Sequence, residues 1–187
     1  MNLAQSDLRT LMPVEPLSAA DIVRAQESVG TSFRDSALFA LALTHRSFVN
    51  ENPAAGAESN ERLEFLGDGV INLVVGYRLF AEAPGAAEGA LTARRAQVVR
   101  RETLAAAAQR MGLGAWLVMG RGEASSGGAE RASNLANAFE ALVGAVFLDQ
   151  GFEVTYEFAV RALADDIAAA ARAGPPKDPK SVLQELL

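Results

Sequence analysis

Asn60 to Val70 reads NERLEFLGDGV, three carboxylates held within eight positions of otherwise largely apolar sequence. Wound as a helix at about 100° per residue, Glu61, Glu64 and Asp68 fall within roughly 60° of one another, while Leu63, Leu66 and Val70 take the opposite side. One face therefore joins a core and the other gathers negative charge. Like charges stacked at i, i+3 and i+7 repel one another. From spacing alone the acidic face is either a solvated surface or a cation site, and oxygen donors would select a hard divalent ion, Mg2+ or Mn2+. Phe65, at about 40° on the same wheel, stands beside the acidic face rather than on the core side. A large ring in that place is covered by neighbouring helices or by a partner.

Outward from this stretch the signals are helical throughout. Upstream, Ser18 and Asp21 form a capping-box-like start for a helix ending at Gly30, and Asp35 can cap a second helix through Leu43. His45, the sole histidine, falls at the end of that second helix and is read as structural. ENPAAGAES reads as a loop, after which Ser59 or Asn60 caps the acidic helix and Pro84 and Gly85 end it near Phe80. One long Ala- and Arg-rich helix is expected from about Ala90 to Met111, then a glycine-broken loop with SSGG at 125–128. NLANAFEALVGAVFLDQ, from Asn134, reads as a buried helix ending near Gly151, and a further helix is expected from Phe152 to Ala173. Asn137 and Glu140, three apart on the buried helix, can face the acidic stretch from a second side. With no alternating pattern of any length, the fold class is all-α.

The chain has 187 residues, half of them hydrophobic, enough for one sizeable core. It has no cysteine, which rules out disulfide staples and thiolate zinc sites and suits a reducing cytoplasm. The N-terminus lacks the basic start and apolar run of a signal peptide, and no segment reaches the length of a membrane span, so a soluble cytoplasmic protein without a membrane partner is expected. The net charge of −6 has the wrong sign for gripping phosphates. The charge is uneven, however: residues 89–131 hold seven arginines (94, 95, 100, 101, 110, 121 and 131) against three glutamates, a surplus of four. These arginines either solubilise an Ala-rich helix or meet a polyanion. Residues 1–17, with Pro13 and Pro16 and no sustained period, read as an irregular arm, and GPPKDP at 174–179 reads as a linker.

The string NERLEFLGDGV closely resembles the signature of the ribonuclease III family, endonucleases that cut double-stranded RNA with divalent metal. The likeness continues through LALTHRSFVNE (Leu41 to Glu51), GRGEASSGGAERASNLANAFEALVGAVFLDQG (Gly120 to Gly151) and KDPKSVLQELL (Lys177 to Leu187). Ser59 departs from a frequent His, and Gly69 from the usual Ser or Ala. The resemblance implies a compact orthogonal helical bundle over residues 1–173. It also implies, at 180–187, the opening residues of a truncated double-stranded-RNA-binding domain; the alternative is a terminal turn packed on the bundle.

Carried over to this sequence, the family pattern implies that Glu64, Asp68, Asn137 and Glu140 surround a catalytic Mg2+, with Mn2+ as substitute. Glu61 assists catalysis, while Glu88 and Arg131 contact substrate. Asn137 stands where the family has Asp; its amide oxygen can coordinate Mg2+ but brings no charge. The resemblance also implies a two-fold homodimer in which Phe65 enters a socket on the other subunit, so that two acidic sites face one RNA duplex and give staggered cuts. The runner-up expectation is a double-stranded-RNA-binding or ribosome-associated protein in which Asn137 has weakened or abolished cleavage. A third possibility is a purely structural bundle that binds no metal.

Overall fold

The computed structural model describes residues 16–172; the arm before residue 16, the linker at 174–179 and the RNA-binding-domain opening at 180–187 lie outside the described residues. Among the described residues the helices are α1 (Ala19–Val29), α2 (Ser36–Ala42), α3 (Arg46–Glu51), α4 (Glu61–Glu82), α5 (Glu88–Val98), α6 (Arg101–Arg110), α7 (Arg121–Ser125), α8 (Ala132–Gln150), α9 (Phe152–Ala162) and α10 (Ala164–Arg172). Short 3-10 turns occupy Pro53–Ala55 and Leu113–Trp116. The expected all-α class holds. Extended pairing among these residues is a single isolated bridge, in which His45 N–H donates to the Val118 carbonyl and Val118 N–H to the Leu43 carbonyl, both at 2.9 Å. No helix of the described residues is long and apolar enough to cross a membrane.

Local chemistry explains the starts of the first helices. At α1 the Ser18 hydroxyl accepts the Asp21 N–H (3.2 Å) while the Asp21 carboxylate accepts the Ser18 N–H (3.3 Å), and Gly30 closes the helix at φ 69°. Asp35 caps α2 through the Ala37 N–H at 2.9 Å. Neither Ser59 nor Asn60 caps α4 as expected. Asn60 is buried, its amide donating to the Ala42 carbonyl at 3.1 Å, and the Ser59 hydroxyl donates to Glu61 at 2.9 Å. Asn60 thus anchors the acidic helix to α2 rather than to its own first turn.

Two expected helices are each divided. The Ala-Arg helix breaks at Val99–Arg100, where Arg100 adopts an extended conformation (φ −67°, ψ 151°). There the Thr103 hydroxyl donates to the Gln97 carbonyl at 3.1 Å, satisfying an acceptor at the end of α5. The helix after Phe152 breaks at the fully buried Leu163, where Arg110 donates to the Ala162 carbonyl (3.1 Å) and pairs with Asp166 (2.8 Å). Helical spacing persists across both breaks because the apolar positions on either side face the same core. Periodicity therefore did not reveal them.

α8 is buried on most sides, as its largely apolar sequence requires, and α2, α4, α6 and α9 pack around it. Phe139 of α8 stacks on Phe158 of α9, ring centroids 6.4 Å apart. α4 contributes Val70, Ile71, Val74, Val75 and Leu79 to the same interior, while its Leu63 packs with Ala42, Ala141 and Ala145 in a smaller cluster. Where α4 and α8 cross, their backbones touch. A Cβ on Gly67 would lie 1.8 Å from the Glu140 carbonyl oxygen, and one on Gly144 would lie 2.4 Å from that of Leu63. Only hydrogen fits at either position.

The end of α8 holds the turn before α2. The Asp149 carboxylate accepts the Arg34 and Asp35 N–H groups, both at 2.9 Å. Asp149→Ala should cost about 1–2 kcal/mol, a charge-assisted pair of bonds partly replaced by water. A thermal melt followed by circular dichroism should fall by several degrees; an unmoved midpoint would show the pair to be energetically idle.

Candidate active site

The acidic face of α4 opens onto a cleft of about 720 Å³. α4 lines it with Glu61, Glu64, Phe65 and Asp68, and α8 with Ser133, Asn134, Ala136, Asn137 and Glu140. His45 and Arg46 enter from the start of α3, and Arg101 from the start of α6. The glycine crossing makes this possible: with no side chain between the backbones, Glu64 and Asp68 beside Gly67 reach the same cleft as Glu140, one turn before Gly144, and Asn137, one turn further back along α8. All four residues expected around a cation, Glu64, Asp68, Asn137 and Glu140, therefore share one cleft although two of them lie some seventy residues from the others in sequence.

Their electrostatics reflect crowding. Burial pushes the Glu140 carboxyl up to about 7, with the charges of Asp68 and Glu64 adding to the rise and Arg101 opposing it. Glu64 is also raised, first by burial and then by Glu61, while Arg46, a side-chain contact from Asn137 and the charge of Asp68 respectively oppose, oppose and add to the shift. Glu61 is engaged at the rim, 3.6 Å from Arg46 and accepting the Ser59 hydroxyl. Such a cleft is short of positive charge, and three carboxylates with one amide oxygen are the donor chemistry that suits Mg2+ or Mn2+. The carboxylates do not already converge: among the described residues no three His, Cys, Asp or Glu side chains group closely enough to hold an ion.

The remaining sequence expectations sort by place. Phe65 is 85% exposed on the rim of the cleft, so neighbouring helices of its own chain do not cover it. Glu88 is the first residue of α5, accepts the Thr92 hydroxyl at 2.8 Å and is not among the residues lining the cleft. Arg131, expected to meet substrate, is tied to Glu123 and to the Ser126 carbonyl (3.3 Å) and hydroxyl (3.1 Å). Asn134 donates to the same Glu123 at 2.7 Å, so Arg131 braces the SSGG loop against α8. His45 is not at the end of α2 but caps α3, its Nδ1 accepting the Ser47 N–H at 3.3 Å, and burial holds its pKa below the ordinary value. Arg101 was legible only as one of seven arginines; nothing in its spacing distinguished it.

The ribonuclease-III-like family model matches residues 35–167. Over 166 residues the chain is 46% identical to Ribonuclease 3 of Pseudomonas fluorescens (strain SBW25), covering 89% of this chain and 69% of that protein. Ribonuclease 3 of Heliobacterium modesticaldum is 51% identical over 142 residues, 76% of this chain and 60% of the relative. A solved structure of the nuclease domain of ribonuclease III from Campylobacter jejuni, described as showing structural flexibility in a region involved in dimer formation, superposes with a TM-score of 0.72 at 39% identity, covering 78% of this chain and 97% of that one. The family match spans both walls of the acidic cleft, and the chain belongs to the ribonuclease III family of endoribonucleases.

Proposed function

We propose that the cleft hydrolyses phosphodiester bonds of double-stranded RNA with a divalent cation, in cytoplasmic RNA processing, and that the chain works as a homodimer. The observation that carries this reading is the meeting of Glu64, Asp68, Asn137 and Glu140 in one cleft. A divalent cation bound there supplies an activated water nucleophile and offsets charge on the leaving oxygen. Glu64 and Asp68 would hold it from α4, Asn137 and Glu140 from α8. Glu140, which takes up a proton most readily, would release it on loading. Glu61 stays at the rim beside Arg46, where it orients rather than holds.

Support for the dimer comes from the outer face of α4. Phe65, Leu73, Tyr77 and Phe80 are 85%, 58%, 56% and 69% exposed, an apolar row of about 22 Å along one helix. Between them Gly69 has nothing within 4 Å of its missing Cβ, so the surface is open for close approach. A two-fold contact on this row would set two clefts beside one duplex, since Phe65 belongs to both the row and the cleft rim. Glu88, away from its own chain's cleft, is then proposed as a substrate contact reached through the assembly.

The test is digestion of a long RNA duplex with Mg2+ or Mn2+ and mapping of both product ends; staggered ends on the two strands are expected, and an intact duplex with either ion refutes the reading. Phe65→Ala should cost about 2 kcal/mol or more at each of two symmetric anchors and shift sedimentation towards monomer. Persistence of a full dimer would move the interface elsewhere.

A further inference from the structure

Of the seven arginines in the basic segment, Arg101 alone lines the acidic cleft. Arg110 is paired with Asp166, Arg131 with Glu123, and the Arg100 Nε donates to the Thr103 hydroxyl at 3.2 Å. The other cation of the cleft, Arg46, stands 3.6 Å from Glu61. The Arg101 guanidinium has no hydrogen bond or ion pair among the described residues, and its side chain is exposed at the first turn of α6. It is nonetheless near enough to Glu140 to oppose the rise in that carboxyl's pKa.

An uncommitted guanidinium at the lip of a cleft lined by Glu61, Glu64, Asp68 and Glu140 faces a problem that the carboxylates create. The substrate is a polyanion, and four carboxylates repel it wherever a bound cation does not reach. A side chain whose fork of donors matches phosphate geometry, carried on a helix start and without a hydrogen bond or ion pair among the described residues, counters that repulsion without breaking a contact there. We propose that Arg101 is an RNA-binding residue of this active site, its guanidinium pairing with a non-bridging oxygen of a backbone phosphate entering the cleft. The pairing rests on the reading of the cleft as an RNA-cleaving site. It contributes positioning of the strand rather than proton transfer, because an arginine stays protonated throughout.

The experiment uses the full chain and three proteins, wild type, Arg101→Gln and Arg101→Lys, with a fluorescent RNA duplex. Binding is measured in EDTA across a salt series, and KM and kcat in Mg2+ at one salt concentration. Arg101→Gln should bind about tenfold more weakly, with the slope of log K against log salt reduced by about one. KM should rise by a similar factor with kcat little changed, and Arg101→Lys should recover most of the salt slope. Because Arg101 is exposed and makes no hydrogen bond or ion pair among the described residues, melting temperatures should coincide, which separates lost contact from lost fold. Wild-type slope and KM in Arg101→Gln overturn the inference while leaving the nuclease reading intact. Wild-type protein that neither binds nor cuts the duplex overturns the reading itself, and this inference with it.

Discussion

Gly67→Ala should leave a protein with duplex cleavage reduced at least hundredfold and a strongly lowered melting temperature. The added methyl would have to occupy a point 1.8 Å from the Glu140 carbonyl oxygen and 2.6 Å from its carbonyl carbon. The obstacle is backbone in the middle of α8, which has no rotamer to change. α4 and α8 must therefore part by more than an ångström, opening the most extensive helix–helix contact of the described residues. Overpacking against side chains typically costs 1–3 kcal/mol, and against helix backbone we expect about 3 kcal/mol or more. The same displacement would carry Glu64 and Asp68 away from Asn137 and Glu140, and an ångström of misplacement can remove about two orders of magnitude in rate. Gly69, two residues along the same helix, is the control. Nothing lies within 4 Å of its missing Cβ, so Gly69→Ala should stabilise α4 by about 1 kcal/mol through helix propensity, provided the dimer contact tolerates a methyl. If thermal melts of the two variants move in the same direction, the backbone crossing is not what holds these helices together.

The second large effect is at the paired positions on α8. Glu140→Gln removes a carboxylate whose pKa of about 7 already records burial and repulsion by Asp68 and Glu64. The apo protein should be slightly more stable near and above neutral pH, because the penalty of a raised acid builds as pH climbs from the ordinary value of 4.5 to the folded value of about 7 and is complete above it. Cation affinity and cleavage should fall together, the rate by about a hundredfold or more. Asn137→Asp should do the reverse. It adds a charge to the donor set, replaces the side-chain contact that favours the ionised form of Glu64, and sets another anion beside that group. Without metal its melting temperature should drop below wild type; with saturating Mn2+ it should rise above it, and Mg2+ should act similarly at higher concentration. The gain in Coulomb attraction is a few kcal/mol at most at an effective dielectric near 20, partly cancelled by the greater repulsion in the empty site. Calorimetric titration of Mg2+ and Mn2+ into the three proteins reads the order directly. Equal affinities throughout would mean that Asn137 and Glu140 do not hold the cation.

The local chemistry of this chain was written in its sequence. The Ser18–Asp21 box, the Asp35 cap, the acidic face of NERLEFLGDGV and the buried character of NLANAFEALVGAVFLDQ depend on residues within a few positions of one another, where spacing determines geometry. The signature motif also identified the family, through residues that bear the chemistry themselves. What sequence spacing left undetermined was everything that passes between elements. The breaks at Arg100 and Leu163 keep the apolar period, so they became visible only once the Gln97 and Ala162 carbonyls had partners. Arg131 and Arg101 look alike in a string of arginines; one is spent on Glu123 and the other is left facing the cleft, a difference made by which elements pack beside each. Above all, Gly67 and Gly144 are unremarkable on their own helices. They bring the two halves of the active site together because a helix crossing this close is excluded by a single methyl group, and no spacing within either helix records what the other will press against it.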